Sequence, residues 1–411
     1  MNLITKRIKG TQDLLPDKSD KFEYVESVLK NQAKLYGFRL VRTPVIEHTV
    51  LFERSVGENS DVVSKEMYTF LDKSGRSVTL RPEGTAGTLR AILENGLHNN
   101  LPVKVMYITS CYRYEKPQNS RYREFFQFGV ETFGSKSCLA DSEIIFLVYS
   151  IFKKLKVQNL KLEINSLGCS ECKKKFNNDM KKYLEKNFDN FCGICKERMY
   201  RNPMRVFDCK NENCKKNLKN APIVLDYLCL RCKNHFDDLK KILDLEKVNY
   251  IVNPRIVRGL DYYTKTVFEF IDNKSEITVC GGGRYDNLSE EIGGPDLPSV
   301  GFGLGIERLL SLVKDYDLEI YPKVYISIIG EKARFKAVEL AENFRNNNIS
   351  TEIDILNNSL KSQVKYADKA KAKYCLFLGD RELENNFVKF RNMVSGEEKE
   401  IDMNNILNYV K

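Results

Sequence analysis

The chain has 411 residues, enough for two or three domains. Its composition, with 42% hydrophobic and 30% charged residues, excludes a largely disordered protein. Lysine plus arginine (66) exceeds aspartate plus glutamate (56), and the net charge of +10 favours a polyanionic partner. No stretch approaches the roughly 18 apolar residues of a membrane span, and the basic N-terminus lacks the apolar segment of a secretion signal. We therefore expect a cytoplasmic protein with no membrane segment.

The first 320 residues predict an antiparallel α+β domain that carries an insertion. Apolar residues at helical spacing predict a helix over 20–36, capped by Asp17 or Ser19, and a strand broken by proline follows at 38–46. Two longer strands, joined by a polar and basic hairpin loop, are predicted at 103–112 and 125–133. Further strands are predicted at 267–271, at 277–280 and around Gly301.

The insertion is marked by its composition. Residues 151–250 are mostly helical in pattern and hold 23 basic against 13 acidic residues. They also contain four close cysteine pairs: Cys169 and Cys172, Cys192 and Cys195, Cys209 and Cys214, and Cys229 and Cys232. Paired thiols in a reducing compartment favour metal over disulfides, so the pairs predict two zinc sites of four thiolates each. A single zinc, a ligand role for His235, and cysteines that are simply buried or redox-sensitive stay open at this point.

The last block alternates strands and helices after a polar connector near residues 314–322. This alternation predicts a small parallel or mixed sheet with helices on its faces. The elements are predicted at 324–329, 333–344, 352–356, 360–372 and 374–378.

Four segments carry residues suited to binding chemistry. The loop RYEKPQNSRYRE (113–124) holds arginines, whose planar forks suit phosphate, although a solvated hairpin tip explains them as well. TLRPEGT (79–85) places Glu83 on a turn where a carboxylate can receive an ammonium group, but an ordinary turn also fits. RGLDYYT (258–264) suits a small polar ligand, or a tyrosine pair in the core. GFGLGIER (301–308) mimics a dinucleotide fingerprint, but its glycine spacing and antiparallel setting argue against that interpretation.

Together and in order, these segments resemble the histidyl-tRNA synthetases among the class II aminoacyl-tRNA synthetases. The loop from Arg113 and the late GLGIER look like motifs 2 and 3 of the class. TLRPEGT, RGLDYYT and GGGRYDNL are similar to the signatures of the histidine enzyme, and so are KGTQDLLP and LKSQVKYADKAKAKYCLFLGD near the two ends. The resemblance covers almost the whole chain, and it implies an ATP-dependent ligase that makes histidyl-adenylate and charges tRNA.

The resemblance also implies roles for individual residues. Arg113 and Arg258 would act catalytically on the α-phosphate of ATP, whereas Lys116 and Gln118 would approach the acceptor stem of the tRNA. Histidine would be bound by Glu83, Gly84, Thr85, Gln127, Glu131, Arg258, Tyr262 and Tyr263. ATP would be bound by Arg113, Glu115, Arg121 and Arg308. An acceptor at each end of the imidazole, Glu131 and Tyr263, would select a ring with donors on both nitrogens.

The implied architecture is a class II antiparallel sheet with flanking helices, a helical cysteine-rich insertion and a C-terminal α/β anticodon-binding domain. The catalytic domain would take residues 1–166 and 251–320, the insertion 167–250 and the anticodon-binding domain 321–411. The helix at 20–36 would help to form a homodimer. The ligands that the resemblance implies are L-histidine, histidine tRNA and ATP with Mg²⁺. Structural Zn²⁺ is expected from the cysteine pairs alone, because the best-known members of the family carry few of these cysteines.

Two other functions are compatible with parts of the sequence. One is a histidine-binding regulator without catalysis, and the other is a zinc-dependent RNA-binding protein with a relic catalytic domain. The intact set of arginines favours the enzyme over both. If the insertion is a zinc domain, we expect chelation to unfold it while adenylate formation stays largely intact.

Overall fold

The computed structural model describes residues 4–57, 60, 62–116, 121–314 and 322–410. These residues separate into two compact units, Met1–Asp317 and Leu318–Lys411. Each unit has its own sheet and its own apolar core. In the described part of the chain, no helix combines the length and apolarity that crossing a bilayer requires.

The first unit is built around an eight-stranded sheet, as far as the described residues show, with a three-stranded sheet beside it. Its strands are β1 (Arg39–Leu40), β2 (Ile46–His48), β3 (Tyr68–Leu71), β4 (Ser77–Leu80), β5 (Val103–Tyr112), β6 (Glu124–Phe133), β7 (Leu160–Ser166), β8 (Tyr250–Val252), β9 (Thr264–Asp272), β10 (Thr278–Arg284) and β11 (Ser299–Gly305). Its helices are α1 (Pro16–Leu35), α2 (Thr49–Val56), α3 (Thr85–Glu94), α4 (Cys138–Lys154), α5 (Ser170–Lys186), α6 (Gly193–Arg201), α7 (Glu212–Asn217), α8 (Leu230–Leu245), α9 (Leu288–Glu291) and α10 (Ile306–Leu312).

The large sheet is antiparallel through its centre, in the order β1-β5-β6-β11-β10-β9-β7-β8. Only the outermost pairs, β1 with β5 and β7 with β8, run parallel. One face of the sheet packs against α1, α4, α8 and α10, whose apolar stripes form the largest core. The expected antiparallel α+β fold is confirmed.

Two predictions at the N-terminus need correction. The first helix begins at Pro16 rather than at residue 20, and neither Asp17 nor Ser19 caps it, because proline occupies its first turn after an extended Leu15. The strand expected at 38–46 is split: β1 joins the large sheet, whereas β2 pairs with β4 in the small one. Pro44 lies in the break between them, where a residue without an N–H cannot continue a ladder.

The predicted window 151–250 also mixes two structures. Its first residues complete α4, and β7 and β8 at its ends belong to the large sheet. Between them lie α5 to α8 and short 3₁₀ turns, so the segment from residue 167 to residue 249 is the helical part.

The second unit is a five-stranded sheet in the order β13-β12-β14-β15-β16. Its elements are β12 (Val324–Ile329), α11 (Lys332–Asn346), β13 (Thr351–Ile353), α12 (Leu360–Lys369), β14 (Tyr374–Gly379), α13 (Asp380–Glu384), β15 (Phe387–Asn392), β16 (Glu398–Asp402) and α14 (Ile406–Val410). β13, β12 and β14 are parallel, as the strand–helix alternation predicts. The antiparallel hairpin β15–β16 was not predicted, because its strands are rich in charged residues.

Candidate active site and cysteine clusters

A cavity of about 210 Å³ lies over the centre of the large sheet, on the face that the helical core leaves free. Most of the predicted site residues line it: Glu83, Thr85, Arg113, Glu115, Arg121, Gln127, Arg258, Tyr262, Tyr263 and Arg308. Gly84 and Glu131 lie directly behind this lining, because Gly84 N–H donates to Gln127 Oε1 (2.9 Å) and Thr85 Oγ1 donates to Glu131 Oε1 (2.8 Å). The fold therefore brings together residues that stand far apart in the sequence.

Strand alternation explains the floor of the cavity. Along β6, Phe128 and Val130 point into the helical core, so Gln127 and Glu131 face the other side. Glu131 pairs in register with Gly301 of β11. A Cβ at Gly301 would lie 1.7 Å from Glu131 Oε2, so only glycine leaves room for this carboxylate. The glycine-rich run is thus a strand that makes space for side chains, not a phosphate-binding turn.

One end of the cavity presents a carboxylate beside a helix start. Glu83 is buried, and its two oxygens accept N–H bonds from Thr85 (2.7 Å) and Ala86 (2.8 Å) in the first turn of α3. Burial raises the pKa of Glu83 in spite of these bonds. Gly84 allows the close approach of Tyr107, whose ring would lie 2.3 Å from an added Cβ. This end suits an ammonium group, which would supply the missing positive charge.

Deeper in the site, Glu131 is fully buried under three hydroxyl groups. Thr85 and Tyr107 (3.1 Å) donate to its Oε1, and Tyr285 donates to its Oε2. Burial raises the pKa of Glu131 to about 8, because the effect of burial is larger than the opposing effect of these hydrogen bonds. Tyr107 and Tyr285 were not predicted as site residues. In the sequence, strand alternation was the only signal for Tyr107, and a place inside GGGRYD was the only signal for Tyr285.

Several guanidinium groups also line the cavity. Arg113 donates through Nε to Pro82 O (2.8 Å), and Arg308 donates through Nη1 to Thr278 O (2.6 Å). Arg121 Nη1 lies 3.4 Å from Glu115 Oε2 and forms an ion pair with this carboxylate. Burial, and after it the repulsion from Arg121, lowers the pKa of Arg308. Cations that repel each other around a cavity are suited to bind a polyanion.

Arg258 is a further guanidinium group in the lining of the cavity. It forms an ion pair with Glu269 of β9, and its guanidinium lies against Gly281, where a Cβ would come within 2.3 Å. Burial opposes its charge, but Glu269 raises the pKa of Arg258. Among the described residues its Nε is buried without a hydrogen-bond partner, so a ligand can receive this donor. Glu269 was missed by the sequence analysis, although it is the one acid in the apolar stretch TVFEFI.

The two residues predicted to approach tRNA stay untested. Lys116 is exposed and does not line the cavity, and Gln118 lies outside the described residues.

The eight paired cysteines of the insertion form two quartets. The outer quartet joins the first and last pairs (Cys169, Cys172, Cys229 and Cys232), and the inner quartet joins the middle pairs (Cys192, Cys195, Cys209 and Cys214). Within each quartet all sulfur atoms lie within 4.8 Å of one another. The Sγ atoms of Cys169 and Cys172 are 3.6 Å apart, and those of Cys192 and Cys209 are 3.8 Å apart. Tetrahedral zinc with bonds of about 2.3 Å needs sulfurs about 3.8 Å apart, so both quartets fit a metal ion.

Helix starts favour the ionised form of two of these thiols, those of Cys192 and Cys229. Cys169, Cys192 and Cys229 each precede the first residue of a helix, so free backbone N–H groups lie close to sulfur. Backbone hydrogen bonds lower the pKa of Cys192 and of Cys229 to about 7. Each quartet also has an N–H···S bond across it, from Cys229 to Cys172 (3.1 Å) and from Cys192 to Cys214 (3.3 Å).

The suggestion that His235 replaces one sulfur is wrong. Its Nε2 lies 3.1 Å from Asp141 Oδ1, and both quartets consist of cysteines alone. Burial would raise the pKa of Asp141, but Arg284 and His235 together lower it to about 2. His235 therefore contacts the buried ion pair of Arg284 and Asp141 in the first unit.

Comparisons with known proteins match this geometry over the whole chain. A family model described as histidyl-tRNA synthetase matches residues 10–309, and one described as anticodon binding domain matches residues 323–411. A histidine–tRNA ligase of Caldanaerobacter subterraneus subsp. tengcongensis is 50% identical over 416 residues and covers 100% of both chains. One from Clostridium perfringens (strain SM101 / Type A) is 50% identical over 411 residues, with 98% of this chain and 99% of the relative covered.

A solved structure agrees in the same way. The crystal structure of apo S. aureus histidyl-tRNA synthetase has a TM-score of 0.85 and 36% identity, and the match covers 99% of this chain and 100% of that one. The two family models together cover both units of the molecule, and so do the relatives and the solved structure. The chain belongs to the histidyl-tRNA synthetase family.

Proposed function

We propose that this chain ligates L-histidine to its tRNA in two steps. Histidine and ATP first form histidyl-adenylate and release pyrophosphate, and the histidyl group then passes to the tRNA with release of AMP. The observation that carries this proposal is a single cavity lined by a buried carboxylate, Glu83, and by the guanidinium groups of Arg113, Arg121, Arg258 and Arg308. These two kinds of group match the two substrates, an amino acid and a nucleoside triphosphate.

The arginines give the first step its electrostatics. The histidine carboxylate attacks the α-phosphorus in line with the departing pyrophosphate, and charge builds on the α-phosphoryl oxygens. Arg113 and Arg258 stabilise this charge from opposite sides of the cavity. Arg121 and Arg308 hold the outer phosphates, which Mg²⁺ accompanies as their counter-ion, and Glu115 receives the adenine amino group.

A second set of polar groups in the cavity selects histidine. Glu83, Gly84, Thr85 and Gln127 hold the α-ammonium group. Glu131 and Tyr263 accept the two imidazole N–H groups, and Tyr262 packs beside Tyr263, with ring centres 4.7 Å apart. A site that hydrogen-bonds both ring nitrogens rejects amino acids that lack them, because its buried polar groups would then stay unpaired.

Amino-acid-dependent exchange of pyrophosphate into ATP, measured without tRNA for all twenty amino acids, tests the function. We expect exchange with histidine and none above background with the others. Exchange with a different amino acid would contradict the roles of Glu131 and Tyr263. A folded protein that binds histidine without any exchange would instead favour the non-catalytic regulator.

The remaining regions serve the tRNA and the assembly. Residues 1–166 and 251–320 form the catalytic domain, 167–250 the insertion, and 321–411 the domain that binds the anticodon. Lys116 and Gln118 contact the acceptor stem. The chain acts in the cytoplasm as a homodimer. Exposed apolar side chains from the last residue of α1 onward support the dimer: Leu35 (77% exposed), Leu40, Val45, Ile46 and Val50.

Each cysteine quartet binds one structural Zn²⁺. The purified protein should therefore contain about two zinc ions per chain, since four thiolates complete the shell of a structural site. Elemental analysis of the protein measures this directly. Replacing Cys195 with serine should remove about one ion, from the inner quartet alone, and Cys232→Ser should do the same for the outer quartet.

Serine replacement of Cys375, a buried cysteine of the second unit, is the control and should leave the zinc content unchanged. Loss of both ions from either single variant would contradict two separate sites.

A further inference from the structure

Side chains of the insertion hold the segment that carries Arg258, Tyr262 and Tyr263. This segment (residues 258–263) lies between β8 and β9, and it contributes to the wall of the cavity. Two insertion residues that have no role in the proposed chemistry, Arg205 and Lys173, contact it directly.

Arg205 binds the first half of the segment. It is buried, and it lies in the short 3₁₀ turn that follows α6. Its Nη2 donates to Gly259 O (2.5 Å), and its Nε donates to Asp261 Oδ1 (3.2 Å). Asn202 donates to the same Asp261 oxygen (2.9 Å). The backbone of Gly259 and the side chain of Asp261, on the two sides of Leu260, are therefore held by the insertion.

Lys173 binds the second half. Its ammonium group donates to the carbonyl oxygen of Tyr263, the residue proposed to accept an imidazole N–H. The chain before α5 adds backbone bonds at the same place, from Leu167 N to Lys265 O (2.7 Å) and from Lys265 N to Gly168 O (2.8 Å). The position of Tyr263 is thus tied to the start of the insertion.

Both anchors lie close in sequence to the proposed metal ligands. Lys173 follows Cys172 of the outer quartet directly, and the turn that carries Arg205 is followed directly by Cys209 of the inner quartet. A metal ion in each quartet would fix the helix start that carries Lys173 and the end of the turn that carries Arg205.

We propose that Arg205 and Lys173 are positioning residues for histidine activation, and that the two metal-bound quartets hold them in place. The insertion then sets the geometry of the amino-acid pocket in addition to any contact with tRNA. This inference rests on the proposed ligase function and on the proposed metal sites. It also revises the expectation that metal loss spares adenylate formation, because both anchors depend on the folded insertion.

The test compares two variants of the full chain, Lys173→Met and Arg205→Met, in histidine-dependent pyrophosphate exchange. Loss of one hydrogen bond in Lys173→Met should raise the KM for histidine about fivefold. Loss of two in Arg205→Met should raise it about twentyfold. Zinc content should equal that of the wild type in both, and Arg205→Lys, which keeps one donor, should fall between Arg205→Met and the wild type.

Lys174→Met and Arg201→Met are the matched controls, because both residues are exposed and adjoin the same two elements. A histidine KM in the folded test variants within about twofold of these controls would overturn the proposal. If Arg205→Met does not fold, Asp261→Asn weakens the same contact without changing the insertion and should raise the histidine KM; an unchanged KM would overturn the proposal.

The outcomes separate this inference from those on which it rests. A wild type with no histidine-dependent exchange would overturn the ligase function itself. A wild type without bound zinc would overturn the metal part alone, because the kinetic comparison of the variants does not use the metal.

Discussion

Replacing Arg113 with methionine should lower the turnover number of histidine-dependent pyrophosphate exchange by about a hundred- to a thousandfold, the effect of removing one preorganised donor, about 2.7–4 kcal/mol. The side chain is already held in place before substrate arrives, since Nε donates to Pro82 O and the guanidinium lies 5.5 Å from the ring centre of Phe125. Its remaining N–H groups therefore point into the site before the reaction begins, and no free energy is spent on reorienting them in the transition state. Steady-state kinetics at saturating ATP and histidine measure the loss.

Arg123→Met is the matched control for this prediction. Arg123 lies on the same hairpin, but its guanidinium stacks on Tyr114 (3.8 Å) and does not line the cavity. We expect its turnover to stay within about threefold of the wild type, since removing such a surface contact costs only about 0.5 kcal/mol. Arg113→Lys should recover part of the activity, because a lysine keeps the charge but loses the planar fork. Equal losses in Arg113→Met and Arg123→Met would contradict a transition-state role for Arg113.

Much of the central fold could be predicted because its signals are local. Strand β5 was predicted with its observed bounds and β6 within one residue, since both are long, apolar and joined by one hairpin. The arginines and Glu83 were predicted as site residues from the resemblance to the family, since the residues alone left a solvated loop and an ordinary turn open. Their gathering into one cavity follows from strand order.

Other parts depend on register and pairing, which single-sequence patterns do not contain. Tyr107, Tyr285 and Glu269 contact predicted site residues only because neighbouring strands bring them there. The nested pairing of the cysteines also arises in three dimensions, since both C-x2-C pairs of the outer quartet lie about 60 residues apart. His235 was misread for the same reason, because its spacing from Cys232 gave no hint of Asp141.

Replacing Glu131 with glutamine should weaken histidine binding about thirtyfold, the effect of losing a hydrogen bond to a charged group, about 2 kcal/mol. The amide keeps the shape of the carboxylate, which matters because Gly301 leaves no space for a larger group. ATP binding should not change, since the described hydrogen bonds of Glu131 come from Thr85, Tyr107 and Tyr285 and not from the arginines. Calorimetric titration with each substrate alone measures both affinities. Glu163→Gln, at a buried carboxylate of β7 away from the cavity, is the control.

The pH dependence of histidine binding tests how Glu131 recognises the ring. In the free protein its pKa of about 8 keeps it protonated at neutral pH, whereas free imidazole, with a pKa near 6.5, is neutral. If the bound state is a carboxylate paired with a ring that donates from both nitrogens, binding moves a proton from Glu131 to the imidazole. No proton is then exchanged with solvent between about pH 6.5 and 8, and Kd should be constant there.

Outside this window the sign of the dependence is fixed. Above about pH 8 Glu131 is already ionised, so binding must take up a proton and Kd should rise about tenfold per pH unit; below about pH 6.5 binding must release one, and Kd should rise as the pH falls. Glu131→Gln should lose the rise that begins at pH 8 and keep only the later one from deprotonation of the α-ammonium group. A wild-type Kd that falls steadily from pH 7 to pH 8 would contradict proton transfer, because it would mean that Glu131 releases its proton to solvent and binds the neutral ring.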